Sequence, residues 1–199
     1  AQAAFVGASA LIGLAIMLQT RPSLAEYGFR RPRAIADALW LIPLVTLPMI
    51  LLASEHLAVT PKQALAYGVL AIAVGFNEEI WFRGLLLAVL RRLGRRRAVI
   101  GASAVFGTLH LTNLLGGGDP TYVWLQFAFA CLVGFVLAEL VEVTGSLWIG
   151  IVWHALYDLV AFSVGDSLTA GALVGIAAMT AVLVAYAAYL WRRLPNGKD

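Results

Sequence analysis

Residues 64–90 read Ala64-Leu65-Ala66-Tyr67-Gly68-Val69-Leu70-Ala71-Ile72-Ala73-Val74-Gly75-Phe76-Asn77-Glu78-Glu79-Ile80-Trp81-Phe82-Arg83-Gly84-Leu85-Leu86-Leu87-Ala88-Val89-Leu90. Up to Asn77 the run carries no charge; two carboxylates and an arginine then interrupt it, and six apolar residues close it. A bilayer core of about 30 Å needs roughly 20 apolar residues as a helix. Backbone polar groups inside lipid must be satisfied within the segment, so a run of this length predicts a helix. The period-two alternation of a membrane β-barrel is absent. The stretch therefore sets both the fold class and the question of what the three charges do there.

The rest of the chain agrees. Over 199 residues, 61% are hydrophobic and 13% charged, with mean hydropathy +0.87. Soluble domains are about half apolar and about a quarter charged. A globule of this size has too little interior to hide the excess. These figures exclude a disordered chain, a collagen-like repeat and an ordinary cytosolic enzyme. The single cysteine, Cys131, forms no intrachain disulfide and no Cys-rich metal pattern. The chain opens at Ala1 without a methionine, which points to a trimmed N-terminus. No basic stretch precedes the first apolar run, which argues against a cleaved signal peptide.

Six further apolar segments join the first, giving seven predicted spans: Ala3–Leu18, Ala38–Ala53, Ala64–Leu90, Ala98–Leu115, Tyr122–Val143, Leu147–Val164 and Leu168–Trp191. Pro43 and Pro48 predict a kink in the second. The stretch Leu115-Gly116-Gly117-Gly118-Asp119-Pro120 predicts a loop. The expected architecture is all-α: a polytopic helix bundle forming one transmembrane domain over residues 1–199, with its motif-bearing core at about 64–164. No repeat, linker or second domain is apparent.

The net charge is +3, and basic residues cluster between apolar runs rather than over one solvated face, so nucleic acid is not an expected partner. Their placement is informative. Alternating the seven spans puts Arg21, Arg30, Arg31, Arg33, Arg91, Arg92, Arg95, Arg96, Arg97, Arg192, Arg193 and Lys198 on one side, twelve of the 14. Lys62 falls on the other side and Arg83 within a span. Lys and Arg accumulate in cytoplasmic loops. The N-terminus is therefore expected outside and the C-terminus in the cytoplasm, with lipid as the surrounding partner.

Charges within spans cost roughly 2.5–3.5 kcal/mol each on insertion scales. Glu78, Glu79 and Arg83 lie in the third segment, His110 in the fourth, and His154 and Asp158 in the sixth. They are tolerable if they converge. Glu79 and Arg83 stand i, i+4 and can pair; so do Phe106 and His110, and His154 and Asp158. Glu78 is turned about 100° from Glu79 and can face the centre, with Phe82 one turn away to wall the site. Counting from the arginine-rich ends at about 1.5 Å per residue, His154 lies about 10 Å deep, His110 about 18 Å and Glu78 about 20 Å. That depth places a common cavity between mid-membrane and the cytoplasmic face. Each residue also has a plainer reading. Glu79–Arg83 could be a structural ion pair, Asp158 a structural partner of His154, Phe106 a packing residue, and His110 a helix-packing hydrogen bond. His56 is expected to be solvated, Glu139 and Glu142 to snorkel or cap at the cytoplasmic end of the fifth segment, and Trp81, Trp148 and Trp153 to pack or anchor. Three independent accidents at Glu78, His110 and His154 are hard to credit.

Three motifs occur in order: E-E-x-x-x-R at Glu78–Arg83, F-x-x-x-H at Phe106–His110 and H-x-x-x-D at His154–Asp158. On successive membrane segments they resemble the CPBP family of CAAX proteases and bacteriocin-processing enzymes, also called the ABI or type II CAAX prenyl protease family. The resemblance implies an intramembrane endopeptidase, described in the family as a metalloprotease, acting on membrane-associated protein or peptide substrates, including prenylated CAAX-type ones. It implies a polar cavity open toward the cytosol, and residence in the plasma membrane of a bacterium. By position, Glu78 would activate the attacking water, His110 and His154 would bind or polarise that water, a metal or the oxyanion, and Glu79 and Arg83 would organise the site. Asp158 stands where related proteases often carry Asn, which leaves the local charge open.

The residue chemistry accommodates the same reaction. Amide hydrolysis needs a deprotonated water, a proton for the leaving amine and stabilisation of the oxyanion. Glu78, His110 and His154 would also serve as three ligands to Zn²⁺ or another divalent metal with one position open. Glu79 would then become the base. No H-E-x-x-H helix is present. Metal-dependent and metal-free hydrolysis stand side by side. Outside proteolysis, the same residues could hold haem between His110 and His154 for electron transfer, or relay protons in a transporter.

Overall fold

The computed structural model describes residues 1–21, 23–31, 39–57, 59–165 and 168–194, and these contain helix and no strand. Ala38, Arg33 and Lys198 lie outside the described residues. Seven α-helical segments are described: α1 (Gln2–Thr20), α2 (Ile42–Ser54), α3 (Pro61–Leu93), α4 (Arg95–His110), α5 (Pro120–Thr144), α6 (Trp148–Val164) and α7 (Ala170–Trp191). Each overlaps one predicted segment. Four are long and apolar enough to cross a bilayer: α1, α3, α5 and α7. Leu39–Ser54 and α6 are shorter apolar helices. The fourth segment falls short of the expectation because α4 opens on Arg95-Arg96-Arg97 and gives way to 3₁₀ turns at Leu111–Leu114. Pro43 occupies the first turn of α2, where its missing N–H is harmless; Pro48 alone is interior.

Local signals set the ends. Thr60 and Gln63 form a reciprocal capping box at the start of α3. Asp119 accepts from the Tyr122 N–H at α5, and Thr169 from the Ala172 N–H at α7. Gly145 ends α5 in the left-handed region at φ 67°.

Contacts collect the helix termini into two ends. At one, Arg30 Nε donates to the Gly145 carbonyl at 2.6 Å, Arg91 pairs with Glu142 at 2.6 Å, and Arg96 lies over Trp191 at 5.0 Å. At the other, Thr169 donates to Glu55, Asn113 donates to Gln126 at 2.8 Å, and Tyr67 packs on Phe162. All described basic side chains except Lys62 and the interior Arg83 belong to the first end. The core of α2, α5, α6 and α7 is apolar, with Leu44, Leu137, Trp153 and Leu183 almost fully enclosed. Large apolar side chains also cover the outside, among them Phe5, Leu11, Leu65, Ile72 and Val174. Water would not tolerate so continuous an apolar exterior; hydrocarbon does.

Candidate active site

The site is assembled where α3 meets α6. A Cβ at Gly75 would stand 3.0 Å from the Ala155 amide nitrogen and 3.2 Å from the Ile151 carbonyl oxygen. The bare glycine lets the two backbones approach closely, as small residues do in membrane bundles. One turn later α3 presents Glu78 and Glu79, and α6 presents His154. At Glu79–Leu86 the helix widens into π-turns, with the Leu87 N–H donating to the Phe82 carbonyl five residues back. Such turns are rare and concentrate at functional sites. Nothing in the sequence pattern announced this one.

His154 lies between the two carboxylates. Its Nδ1–H donates to Glu79 Oε1 at 3.0 Å, and its Nε2 lies 3.3 Å from Glu78 Oε2. Asp158 Oδ2 is 3.8 Å from the same Nε2. It stands beside the ring without a hydrogen bond, and that oxygen has no partner among the described residues. Arg83 Nη1 pairs with the same Glu79 oxygen at 2.9 Å, both side chains being enclosed. The Arg83 guanidinium also lies over the Phe106 ring at 4.2 Å. The expected Glu79–Arg83 pairing is thus present. Both carboxylates address His154, because one imidazole offers a nitrogen to each.

Glu78 and Glu79 differ in access. Glu79 is sealed off, whereas the Glu78 side chain is 23% exposed. The free oxygen of Glu79, Oε2, lies against Gly150, where a Cβ would come within 2.7 Å. Gly150 precedes His154 by one helical turn, a spacing readable in the sequence but not flagged by it. Phe82 packs edge-on to Phe106 at 4.9 Å, so it walls the site through that ring.

His110 joins from α4. Its Nδ1–H donates to the Phe106 carbonyl at 2.9 Å, leaving Nε2 available. The Phe106 ring stands edge-on to both imidazoles, 4.8 Å from His110 and 6.1 Å from His154. Phe106, read as packing, thus touches both. Among the described residues no group of three or more His, Cys, Asp or Glu side chains is gathered to hold a metal ion. With Nδ1–H held by Glu79, the nitrogen His154 has for any ligand is Nε2, which faces Glu78.

A cavity of about 590 Å³ reaches His110, His154 and Asp158, with Phe106, Trp153 and Tyr157 in its wall. Its remaining lining comes from the arginine-poor half of the bundle, out to Asn113, Gly118 and Gly165. The arginine-rich ends contribute none of the described lining residues. The described lining of this cavity thus lies in the half of the bundle remote from the arginines. Glu139 is a correction. It does not snorkel; it is fully buried, and neither carboxylate oxygen has a hydrogen-bond partner among the described residues. Glu142 does reach the rim arginines. His56 is exposed, and Trp153 packs in the core with its Nε1–H donating to the Leu44 carbonyl at 2.8 Å.

A family model described as type II CAAX prenyl endopeptidase Rce1-like matches residues 60–160, a span that holds all three motifs. No curated protein and no solved structure matches the chain. A match over half of an all-helical, apolar chain, with the motif side chains gathered in one place, establishes that the chain belongs to the Rce1-like family of type II CAAX prenyl endopeptidases, a family of membrane proteases.

Proposed function

We propose that the chain hydrolyses peptide bonds of membrane-associated substrates by a glutamate-activated water. The observation that carries the reading is His154 clasped between Glu78 and Glu79 at the end of a cavity inside an apolar bundle. Glu78, the accessible carboxylate, takes a proton from water as the water oxygen attacks the scissile carbonyl carbon. His110, with Nδ1–H committed to the Phe106 carbonyl, offers the Nε2 lone pair to orient that water. His154, fixed through Nδ1, holds Glu78 in place and stabilises the negative charge that develops. The tetrahedral intermediate collapses with cleavage of the C–N bond, and the proton held by Glu78 passes to the departing amine. Glu79 and Arg83 are positioning residues: they orient His154 and the π-turn that carries Glu78.

No step of this mechanism is routed through a metal. Seven membrane crossings, with the short α2, α4 and α6 spanning alongside the four long helices, complete the proposed topology in a bacterial plasma membrane.

The test uses purified protein in liposomes with a prenylated CAAX-type peptide and its unprenylated twin, in ¹⁸O-enriched water, before and after chelation. The expected result is cleavage with one ¹⁸O in the new carboxylate, unchanged by chelation. Cleavage of neither peptide would overturn the hydrolytic reading. Cleavage abolished by chelation and restored by a divalent metal would overturn the metal-free mechanism.

A further inference from the structure

The π-turn that carries the carboxylate pair is held from two sides. Glu79, Phe82 and Arg83 face inward, where His154 and the Phe106 ring engage them. Ile80, Trp81 and Gly84 face α1. The Trp81 Nε1–H donates to Ser9 Oγ at 3.1 Å and to the Ser9 carbonyl oxygen at 3.3 Å. A Cβ at Gly13 would stand 2.6 Å from Ile80 Cγ2 and 3.4 Å from the Trp81 indole, and a Cβ at Gly84 would overlap the Met17 methyl. Met17 and Ile80 are almost fully enclosed. Ser9, Gly13 and Met17 follow one another at four-residue spacing, which puts them on one face of α1. Away from that face, Phe5, Leu11, Ile12 and Leu18 are exposed.

A π-turn is an uncommon register that needs support from its surroundings. Relaxing to the α register would discard its extra residue and turn one side of the helix by about 100° against the other. Glu78 would then turn relative to Arg83, and the arrangement around His154 would be lost. We infer that α1 is a brace: Ser9, Gly13 and Met17 are positioning residues that hold the π-turn, and with it Glu78, in the working register. α1 lies outside residues 60–160, the span of the family match, so the site's geometry depends on a helix beyond the motif-bearing core. The inference rests on the hydrolytic reading for the role of Glu78, while the hold on the turn stands on packing alone. Gly13 is the sharpest point of that hold. Ile80 is β-branched, so its Cγ2 sits next to the backbone and cannot swing aside as the end of a long side chain can. A methyl added at Gly13 must part the two helices or move the turn.

Two readings on the purified full chain test the brace: kcat and KM on the prenylated CAAX-type peptide, taken well below the melting transition, and hydrogen exchange of the amides that close the π-turn, Leu87 among them. Gly13→Ala should lower kcat about tenfold with KM unchanged, since a misplacement of about 1 Å costs about 10²-fold. The same variant should speed exchange at the turn by about tenfold, as local opening becomes easier. Gly13→Ala combined with Ile80→Ala, where the added methyl takes room left by the shortened side chain, should return both readings to within about threefold of the parent. Gly7→Ala, on the same helix with open space around it, should change neither. Parental kcat and parental exchange in Gly13→Ala, a loss carried by KM alone, or a loss that the double variant does not relieve would overturn the inference. Should Gly13→Ala yield no folded protein, Ser9→Ala and Trp81→Phe carry the comparison. Each removes part of one hydrogen bond and should shift both readings about twofold in the same direction; parental values in both would overturn the brace. If the parent cleaves no peptide, the hydrolytic reading fails and exchange alone decides: acceleration in Gly13→Ala relieved in the double variant upholds the brace, and unchanged exchange overturns it.

Discussion

At the arginine-rich end, charges sit at the rim and satisfy one another: Arg91 lies 2.6 Å and Arg95 3.8 Å from Glu142, and Arg30 caps the Gly145 carbonyl. Midway toward the other end, charges are enclosed. Glu79 and Arg83 are sealed, His154 spans two carboxylates, and beyond them the helices part around a cavity. The first arrangement is cheap, because water and lipid headgroups screen it. The second is costly and survives only because each group is held by several others. Where a small membrane bundle gathers several costly charges against one another therefore marks where it does chemistry. The rim charges serve for orientation.

Substitutions on the two sides should then behave differently. The largest effect is expected at His154→Ala. It removes the link between the carboxylates and should lower turnover about 10³-fold, in the range for a positioned acid–base group. Leaving two carboxylates unbridged should also lower the melting temperature, so rates are compared on folded protein well below both transitions, and turnover within tenfold of the parent would remove His154 from the mechanism. Next comes Gly150→Ala. The added methyl would displace Glu79 Oε2 and, through His154, shift Glu78 by up to about 1 Å. A loss of about 10²-fold in kcat is expected, since misplacements of about 1 Å are worth that much, with KM unchanged. A change confined to KM would mean that Gly150 serves substrate binding instead.

Glu139→Met sharpens the comparison from the packed half. Replacing an unpartnered buried carboxyl by an apolar chain of similar length should raise stability by about 1 kcal/mol and leave cleavage intact, read by melting and by initial rates on the same preparation. Loss of cleavage would place Glu139 within the working site. The smallest effect is expected at Arg91→Ala. Arg91 is 32% exposed and Arg95 remains near the enclosed Glu142 carboxylate, so the loss should be about 0.5 kcal/mol; melting should fall slightly and turnover should not change.

Much of this was legible in the sequence. Each helix overlaps its predicted segment, because long apolar runs have few alternatives in lipid and because Thr60, Asp119, Gly145 and Thr169 mark ends by side-chain or backbone chemistry. The convergence of Glu78, Glu79, Arg83, His110, His154 and Asp158 was legible as well, since unsatisfied charges in a bilayer must find one another. What stayed hidden depends on three-dimensional fit. The π-turn at Glu79–Leu86 is a choice of hydrogen-bond register that no residue type dictates. The contact of the Phe106 ring with both imidazoles depends on its rotamer. The cavity beside His110, His154 and Asp158 depends on how the helices diverge around it, and linear depth counts from helix ends do not carry that information. Glu139 was misread for the same reason: its distance from the end of α5 suggested a rim position, but α5 is enclosed by its neighbours over that turn.

The central claim is that Glu78, the accessible member of the carboxylate pair, is the base. It is tested most directly by Glu78→Gln, an isosteric change that keeps the packing around His154 and removes the proton acceptor. With melting behaviour matched to the parent, the account predicts that peptide turnover in liposomes falls at least about 10³-fold while the substrate peptide still binds. Turnover near the parent level in that variant would contradict it.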